Sequence, residues 1–200
     1  MKKIVLASNN KGKVKEFGEL FAECDIKIIP QSHFKINEVE ETGLSFVENA
    51  ILKARNAAKE SGLPAIADDS GIEVDALNGA PGIYSARFAG LDVSDKDNVT
   101  KLLEDLEGIH QSRRTARFQC IIVYMRHAND PTPLICTGTW EGSILDKPQG
   151  ANGFGYDPIF CVPEKDCSAA ELPADVKNHF SHRGKAIASL MKQLVYPVTH

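Results

Sequence analysis

Residues 1–29 read MKKIVLASNNKGKVKEFGELFAECDIKII, and the apolar and polar runs in this stretch indicate the fold class. They predict a buried strand over residues 3–7, a polar loop over residues 8–12, a helix from about residue 13 to 21, and a second strand over residues 26–29. A strand, a loop, a helix and a strand in that order are typical of an α/β layout.

Capping signals and apolar spacing predict three further helices. Ser45 followed by Glu48 is a capping box that opens a helix, and Ser94 with Asp97 starts another. Near the carboxyl end, apolar residues recur on one face of a helix that Ser181 would cap. The three predicted ranges are 45–61, 94–108 and 182–195.

The remaining apolar runs predict strands, and their order makes the sheet mixed. We place these strands at residues 65–67, 72–74, 116–126, 134–145 and 158–162. The sequence Asp68-Asp69-Ser70-Gly71 is interpreted as a turn between the first two. An Asn-Asp-Pro turn joins the two long strands, which we therefore expect to pair antiparallel. No internal repeat or linker interrupts the pattern, and we expect a single domain over residues 1–200.

Length, charge and cysteine content argue against several classes of protein. The chain has 200 residues, 42% of them hydrophobic, and a formal net charge of −4, which disfavours a general nucleic-acid binder. Neither a signal peptide nor a membrane-spanning run of about 18 apolar residues is recognised. The five cysteines include no C-x-x-C pair, so we expect reduced thiols and no zinc site. These features favour a cytoplasmic protein with no nucleic-acid or membrane partner.

The polar loop after the first strand has the composition of an anion-binding segment. It reads Ser8-Asn9-Asn10-Lys11-Gly12-Lys13, and its backbone N–H groups and the start of the helix can point at a phosphate. It is not a P-loop, because Ala7 and Val14 stand where that pattern needs a glycine and a hydroxyl. The alternative is an ordinary capped helix start with solvated lysines.

Carboxylates follow the third predicted strand. Asp68 and Asp69 are adjacent, and their repulsion is relieved where a cation or a cationic side chain lies beside them. Mg2+ binds one or two carboxylates together with substrate phosphates, and Glu38, Glu40 or Glu41 could supply a second carboxylate. The alternative is a solvated acidic turn.

Lys53 lies at the edge of the apolar face of the predicted helix 45–61, with Asn49 one turn before it on the same edge. A lysine in this position either extends its amine to solvent or reaches an anion or a carboxylate in a cleft. The spacing leaves both interpretations open.

Two later segments carry aromatic and basic side chains. In the segment 153–158, GFGYDP, the glycines expose Phe154, on which a base can stack for ~1–3 kcal/mol, and Asp157 can accept a hydrogen bond. In the segment 177–184, KNHFSHRG, His182 and Arg183 fall in the first turn of the last helix, where a cation is unfavourable unless an acceptor-rich ligand binds. The alternatives are an aromatic loop packed on the core and two exposed side chains without a role.

In this order, the segments resemble the inosine triphosphate pyrophosphatase family, which hydrolyses deaminated purine nucleoside triphosphates. The stretches that carry the resemblance span almost the whole chain: SNNKGK at 8–13, EETGLSFVENAILKA at 40–54, PAIADDSGIEVDALNGAPGIYSAR at 64–87, GFGYDPIF at 153–160 and SHRGKA at 181–186. The resemblance implies an elongated mixed sheet flanked by helices, with two lobes and a central cleft, and usually a homodimer.

The resemblance also implies a role for each matched residue. The expected substrates are ITP, dITP and XTP, cleaved to the monophosphate and pyrophosphate with Mg2+. Asp69 would bind the metal and orient or deprotonate the attacking water, assisted by Glu41 or Glu40. The triphosphate would be held by Ser8, Asn9, Asn10, Lys11, Gly12, Lys13 and Lys53. The rest of the substrate would be bound by Ser70, Phe154, Gly155, Tyr156, Asp157, Lys177, His182 and Arg183.

Three other functions are weighed against this one. The first is a broader pyrophosphatase that acts on modified pyrimidine or ordinary triphosphates. The second is a non-catalytic nucleotide-binding module, against which the adjacent carboxylates of Asp68 and Asp69 favour an enzyme. The third is an RNA-binding protein, which the negative net charge disfavours.

Overall fold

The computed structural model describes residues 2–22 and 26–195. The strands among them are β1 (Lys2–Leu6), β2 (Ile26–Pro30), β3 (Ala65–Val74), β4 (Thr115–Met125), β5 (Leu134–Ile144), β6 (Phe160–Val162) and β7 (Cys167–Ser168). The α-helices among them are α1 (Lys11–Phe21), α2 (Phe46–Ser61), α3 (Asp95–Asp105), α4 (Ala174–Phe180) and α5 (His182–Val195). None of the described helices is both long and apolar enough to cross a membrane.

The strands form one mixed sheet in the order β2-β1-β3-β4-β5-β6-β7. β1 runs parallel to both of its neighbours, with Val5 beside Ile29 and Ala65. β6 pairs antiparallel with β5 and with β7. The side-chain pairs 117 with 141 and 119 with 139 show that β4 and β5 also run antiparallel. The prediction of a mixed α/β sheet flanked by helices is confirmed.

The chain divides into two compact units. The first comprises the described residues of 1–69, 120–138 and 183–200, and the second comprises residues 70–119 and 139–182. Apolar cores form within each unit. The expectation of a single domain over residues 1–200 stays a prediction.

In the first unit the two faces of the sheet pack against different helices. Successive strand residues point to opposite faces, so one face collects every second side chain. One core contains α1 and α5 and the strand residues Ile4, Leu6, Ile66, Cys120 and Ile122. The other contains α2 and the strand residues Val5, Ala65, Ala67, Val123 and Met125. The α2 side of the second core is made of small residues: Ala50, Ala54, Ala57 and Ala58.

The second unit packs α3 on its part of the sheet. Its core is rich in aromatic rings: the Phe118 centroid lies 4.6 Å from that of Phe160, with the rings tilted, and 4.8 Å from that of His182, with the rings stacked. Trp140 packs against the same Phe160 ring at 5.3 Å. Aromatic contacts of this kind stabilise a core beyond the area that they bury.

The predicted capping residues Ser45 and Ser94 are confirmed. In α3 the Ser94 hydroxyl and the Asp97 carboxylate form the complete capping box. In α2 the Ser45 hydroxyl accepts from the Glu48 N–H, but the Glu48 carboxylate accepts from the Leu44 N–H, one residue earlier than a capping box requires. The last helix has the predicted bounds, whereas α1 begins at residue 11 rather than 13, and α4 was not predicted.

The predicted turn at residues 68–71 is wrong, because β3 continues through it from Ala65 to Val74. The prediction rested on composition, because Asp and Gly are ordinary turn residues. In the structure both side chains are buried, Asp68 at 1% exposure and Asp69 at 7%. Each carboxylate meets a cationic side chain, so the backbone has no reason to leave the sheet.

Candidate active site

Asp68 and Asp69 are adjacent on β3, and their side chains meet different partners in the first unit. Asp68 pairs with Lys13 of α1 and Arg183 of α5, whereas Asp69 pairs with Lys53 of α2. This is the alternation of the strand, because α1 and α5 pack on one face and α2 on the other. Their adjacency had suggested that one cation lies beside both carboxylates, but in the structure each carboxylate pairs with different cationic side chains.

Asp69 belongs to a cluster of two carboxylates and one ammonium group. The Lys53 Nζ lies 2.6 Å from Asp69 Oδ1 and 2.9 Å from Glu41 Oε1. Burial raises the pKa of Asp69, the charge of Lys53 lowers it, and Glu41 raises it, with a net pKa above the ordinary value. Burial lowers the pKa of Lys53, but the surrounding carboxylates outweigh it and hold that pKa above its usual range. Lys53 therefore stays charged and reaches carboxylates rather than solvent.

Of the two glutamates proposed to assist Asp69, the structure brings Glu41 to the cluster. Glu40 is exposed, and its carbonyl oxygen accepts from the Thr42 N–H at 3.1 Å. This hydrogen bond closes a short turn over residues 40–42, upstream of α2. The sequence alone left the choice between Glu40 and Glu41 open, because both precede the helix at similar distances.

Asp68 is the centre of a second, more deeply buried network. Its Oδ2 lies 3.0 Å from Lys13 Nζ and 3.3 Å from Arg183 Nε, and Arg183 also pairs with Glu16. Burial raises the pKa of Asp68, but the charges of Lys13 and Arg183 outweigh it and hold the pKa well below the ordinary value. Asp68 is therefore ionised and orients Lys13. Glu16 had no predicted role, and Arg183 was expected at the substrate. The signal that could have linked Asp68 to α1 is that side chains of a strand point alternately to its two faces, which places Asp68 on the face that α1 covers.

The loop between β1 and α1 is ordered by its own side chains. The Asn10 Oδ1 caps α1 by accepting from the Lys13 N–H at 3.1 Å, and the Asn10 N–H donates to Ser8 Oγ at 3.2 Å. Asn9 donates to Glu38 Oε1 at 2.8 Å. Lys11 and Gly12 occupy the first turn of α1, where backbone N–H groups have no partner within the helix. This arrangement can bind an anion.

The loop over residues 153–157 of the second unit is organised around one carboxylate. Asp157 Oδ2 accepts from the Phe154 N–H at 2.8 Å and from Lys177 Nζ at 2.6 Å. The same Nζ lies 4.9 Å from the centroid of the Phe154 ring. A Cβ at position 153 would lie 2.1 Å from Asp157 Oδ2, and the φ of 76° also requires glycine there. Phe154, Asp157 and Lys177 are thus brought together, and the short helix α4, which carries Lys177, was not predicted.

Neighbouring residues hold this loop in place. The Gly155 N–H donates to Asp95 Oδ2 at 2.7 Å, and the buried Tyr156 hydroxyl donates to the Ser85 carbonyl at 2.8 Å. The Ser85 Oγ in turn accepts from the Ile72 N–H at 2.9 Å. The buried Tyr156 side chain therefore anchors the loop to the core of the second unit. Asp95 and Ser85 were not predicted, because their contacts with the loop join residues that are distant along the chain.

The remaining predicted residues have separate environments. His182 and Arg183 are buried, with exposed fractions of 6% and 3%, so they are not the exposed pair of the alternative interpretation. The His182 ring stacks on Phe118 at an interplanar angle of 12° in the second unit. Ser70 is half-buried and follows Asp69 on β3. The substrate contacts expected of these three residues stay predictions.

The donor set of the Asp69 cluster fits Mg2+ only with help from a ligand. Among residues 2–22 and 26–195, no group of three or more His, Cys, Asp or Glu side chains could hold a metal by itself. Glu41 and Asp69 offer carboxylate oxygens, and Mg2+ commonly takes one or two of these and completes its shell with phosphate oxygens and water. The cluster thus fits an ion that binds together with a polyphosphate.

Known proteins resemble this chain over nearly its whole length. The sequence pattern of the Ham1 family matches residues 4–193. The dITP/XTP pyrophosphatase of Photobacterium profundum is 60% identical over 194 residues, which cover 97% of this chain and 98% of that protein. A solved HAM1 protein from Coxiella burnetii is 53% identical, with a TM-score of 0.92 and coverage of 98% and 99%. The Ham1 protein of Staphylococcus aureus is 47% identical, with a TM-score of 0.86 and coverage of 97% and 98%.

Proposed function

The chain belongs to the Ham1 family, and from this premise we propose that it hydrolyses deaminated purine nucleoside triphosphates to the monophosphate and pyrophosphate. A relative with 60% identity, matched over nearly its full length, is named dITP/XTP pyrophosphatase. The substrates are dITP, ITP and XTP. The reaction removes these nucleotides before a polymerase can incorporate them into DNA or RNA.

One observation carries the proposal: Lys53 joins the carboxylates of Glu41 and Asp69. Two negative charges against one positive charge leave a net negative cluster, which favours a further cation. A nucleoside triphosphate binds Mg2+ and brings the oxygens that the cluster lacks. We infer that Glu41 and Asp69 hold this ion, while Lys53 binds both the cluster and the phosphate chain.

The chemistry required of the chain is the activation of water and the binding of charge. Bound Mg2+ would neutralise the phosphates and stabilise the pyrophosphate leaving group. Asp69 orients the water that attacks the α-phosphorus and accepts its hydrogen bond or its proton. Lys13, oriented by Asp68, and the N-terminal N–H groups of α1 bind phosphate oxygens.

The base is bound by the residues of the second unit. Phe154 stacks on the purine, while Lys177 and Asp157 present a donor and an acceptor to its edge. Donors committed to a 6-oxo group are left unpaired against the amino group of adenine, so ATP is rejected. His182, Arg183 and Ser70 complete the substrate contacts in this proposal.

The experiment measures turnover and products with ITP, XTP, dUTP, GTP and ATP. Pyrophosphate and the monophosphate are expected, with a preference for ITP over GTP of more than about tenfold, or about 1.4 kcal/mol. Orthophosphate and the diphosphate would instead indicate a γ-phosphatase. A smaller preference for ITP would indicate the broader pyrophosphatase.

Asp69→Asn tests the assigned centre. It should lower turnover by about 100-fold or more, because it removes a charge that binds the cation and activates the water. Asp92→Asn is the matched control, since Asp92 is exposed and its φ of 57° suits asparagine as well as aspartate. Near-normal turnover in Asp69→Asn would show that the centre is wrongly assigned.

The identity of the ion, the assembly and the location complete the proposal. We expect Mg2+ to support turnover, a homodimer in solution, no nucleic-acid partner and a cytoplasmic enzyme. Replacing Mg2+ with Ca2+ tests the first, because Ca2+ prefers longer and more numerous oxygen contacts. Light scattering tests the second.

A further inference from the structure

Asn49 is a fully buried polar residue in the first turn of α2, and none of the roles assigned above includes it. Its Oδ1 accepts a hydrogen bond from the Gly43 N–H at 2.8 Å. Since a backbone N–H can only donate, this bond fixes which end of the amide is the oxygen. The Asn49 Nδ2 is buried and finds no acceptor among the described residues, which costs stability. Stability alone therefore does not explain an asparagine at this position.

The backbone of Gly43 lies against α2 too closely for any other residue. A Cβ at position 43 would lie 2.6 Å from the Cβ of Glu48 and 2.7 Å from Asn49 Oδ1. The Leu44 N–H and the Ser45 hydroxyl also bind the Glu48 carboxylate, at 3.0 and 2.7 Å. Side chains from the first turn of α2 thus fasten the segment that precedes the helix.

Glu41 lies two residues before Gly43, and its partner Lys53 lies one turn after Asn49. Residues four apart share a face of a helix, so Asn49 and Lys53 line the same edge of α2. Two hydrogen bonds therefore join the segment 41–43 to this edge: Gly43 with Asn49, and Glu41 with Lys53. The first bond fixes the backbone, and the second depends on where that backbone places the Glu41 side chain.

We propose that Asn49 is a positioning residue that holds Glu41 in the cluster with Lys53 and Asp69. Asn49 acts through the backbone of residues 41–43 rather than by contact with substrate or metal. The inference rests on the proposed function, in which Glu41 assists in holding the cation. Removing a residue that orients a metal-binding side chain commonly lowers metal affinity or activity by about 10- to 100-fold.

The direct test is hydrogen exchange at the Gly43 amide, measured by NMR on the full chain without substrate. Asn49→Ala removes the acceptor and should speed exchange at this amide about fivefold or more, while the last turns of α2 keep their rates. Asn56→Ala is the matched control, because Asn56 lies on the same helix and donates to the Asn37 carbonyl instead. An unchanged rate at Gly43 in Asn49→Ala overturns the inference.

The functional test is a double-mutant cycle on the Mg2+ concentration that gives half-maximal turnover of ITP. Asn49→Ala and Glu41→Gln should each raise this concentration about tenfold, and the double variant should be no worse than Glu41→Gln alone. If the double variant instead raises the Mg2+ concentration by the product of the two single effects, the inference is overturned, because Asn49 would then act independently of Glu41. Asn56→Ala should leave the Mg2+ requirement at its wild-type value.

A second variant disturbs the hydrogen bond between Gly43 and Asn49 by changing Gly43 instead of Asn49. Gly43→Ala forces the backbone away from Asn49 and should reproduce the raised Mg2+ requirement. A wild-type requirement in Gly43→Ala, with faster exchange in the segment, overturns the inference. A wild-type requirement in Glu41→Gln would instead refute the metal role of Glu41 in the proposed function, whereas the exchange rate of Gly43 reports on Asn49 alone.

Discussion

Replacing Asp68 with asparagine should destabilise the protein strongly at neutral pH and progressively less as the pH falls below about 4. The carboxylate is buried, with Lys13 Nζ at 3.0 Å and Arg183 Nε at 3.3 Å. At an effective dielectric constant of ~20, each contact is worth ~5 kcal/mol of Coulomb attraction. The burial of these charges offsets much of that attraction, and loss of one partner from a buried pair costs ~3–5 kcal/mol.

We expect the lower end of this range for Asp68→Asn, about 3 kcal/mol. Asparagine keeps the shape of the side chain and one acceptor oxygen, and Arg183 keeps its contact with Glu16. For a chain of this size, the melting temperature should fall by about 6–12 °C.

The pH dependence follows from the pKa of Asp68. Burial raises this pKa, but Lys13 and Arg183 outweigh burial and hold it below the ordinary value of 3.8. A carboxyl group with a lowered folded-state pKa stabilises the fold above its ordinary pKa, and that contribution is lost as the pH falls toward the folded-state value. The difference between wild type and Asp68→Asn should therefore be complete at neutral pH and shrink below about pH 4.

Urea unfolding followed by circular dichroism, at a series of pH values from about 7 down to about 3, measures this difference. Asp92→Asn, an exposed replacement of the same kind, should change little at any pH. A loss below about 1 kcal/mol at neutral pH, or a loss that persists undiminished at about pH 3, would refute the reasoning.

Three further predictions concern other parts of the molecule. Phe154→Ala should weaken ITP binding by about 1–3 kcal/mol while leaving inhibition by inorganic triphosphate unchanged, as competition assays would show; equal losses for both ligands would contradict base stacking. Removal of divalent metal with EDTA should abolish turnover but leave the melting temperature unchanged, because no cluster in residues 2–22 and 26–195 holds a metal by itself; a lower melting temperature would contradict this. Tyr156→Phe should lower the unfolding free energy by about 1–2 kcal/mol, because the buried Ser85 carbonyl loses its donor; an unchanged denaturation midpoint would contradict it.

The helices could be predicted because their signals are local. Ser45 and Ser94 cap helices through residues three positions away, and the apolar face of α5 is visible in its own sequence. The short helix α4 escaped prediction because seven residues give little periodicity and no side chain caps it.

The sequence named most of the side chains that meet around Asp68 and Asp69 but not how they pair, and their roles in binding and catalysis stay predictions. Lys53 was correctly placed at the edge of an apolar face, and its carboxylate partners agree with one of the two interpretations. The turn at residues 68–71 was predicted wrongly because the cations that neutralise Asp68 are far away in the sequence, Arg183 by 115 positions. Local composition contains no information about such partners.

The start of β3 has a consequence for how the sheet is aligned. Ala65, Ile66 and Ala67 are apolar toward both helix layers, so hydrophobicity does not decide which of them faces which layer. A slip of one position would turn every side chain to the opposite side and carry Asp68 toward the alanines of α2. Asp68 pairs with cations on the side of α1 and α5, and Asp69 pairs with Lys53 on the side of α2. These ion pairs are lost if the strand shifts by one position, so the residues proposed for hydrolysis also help to specify the register of β3.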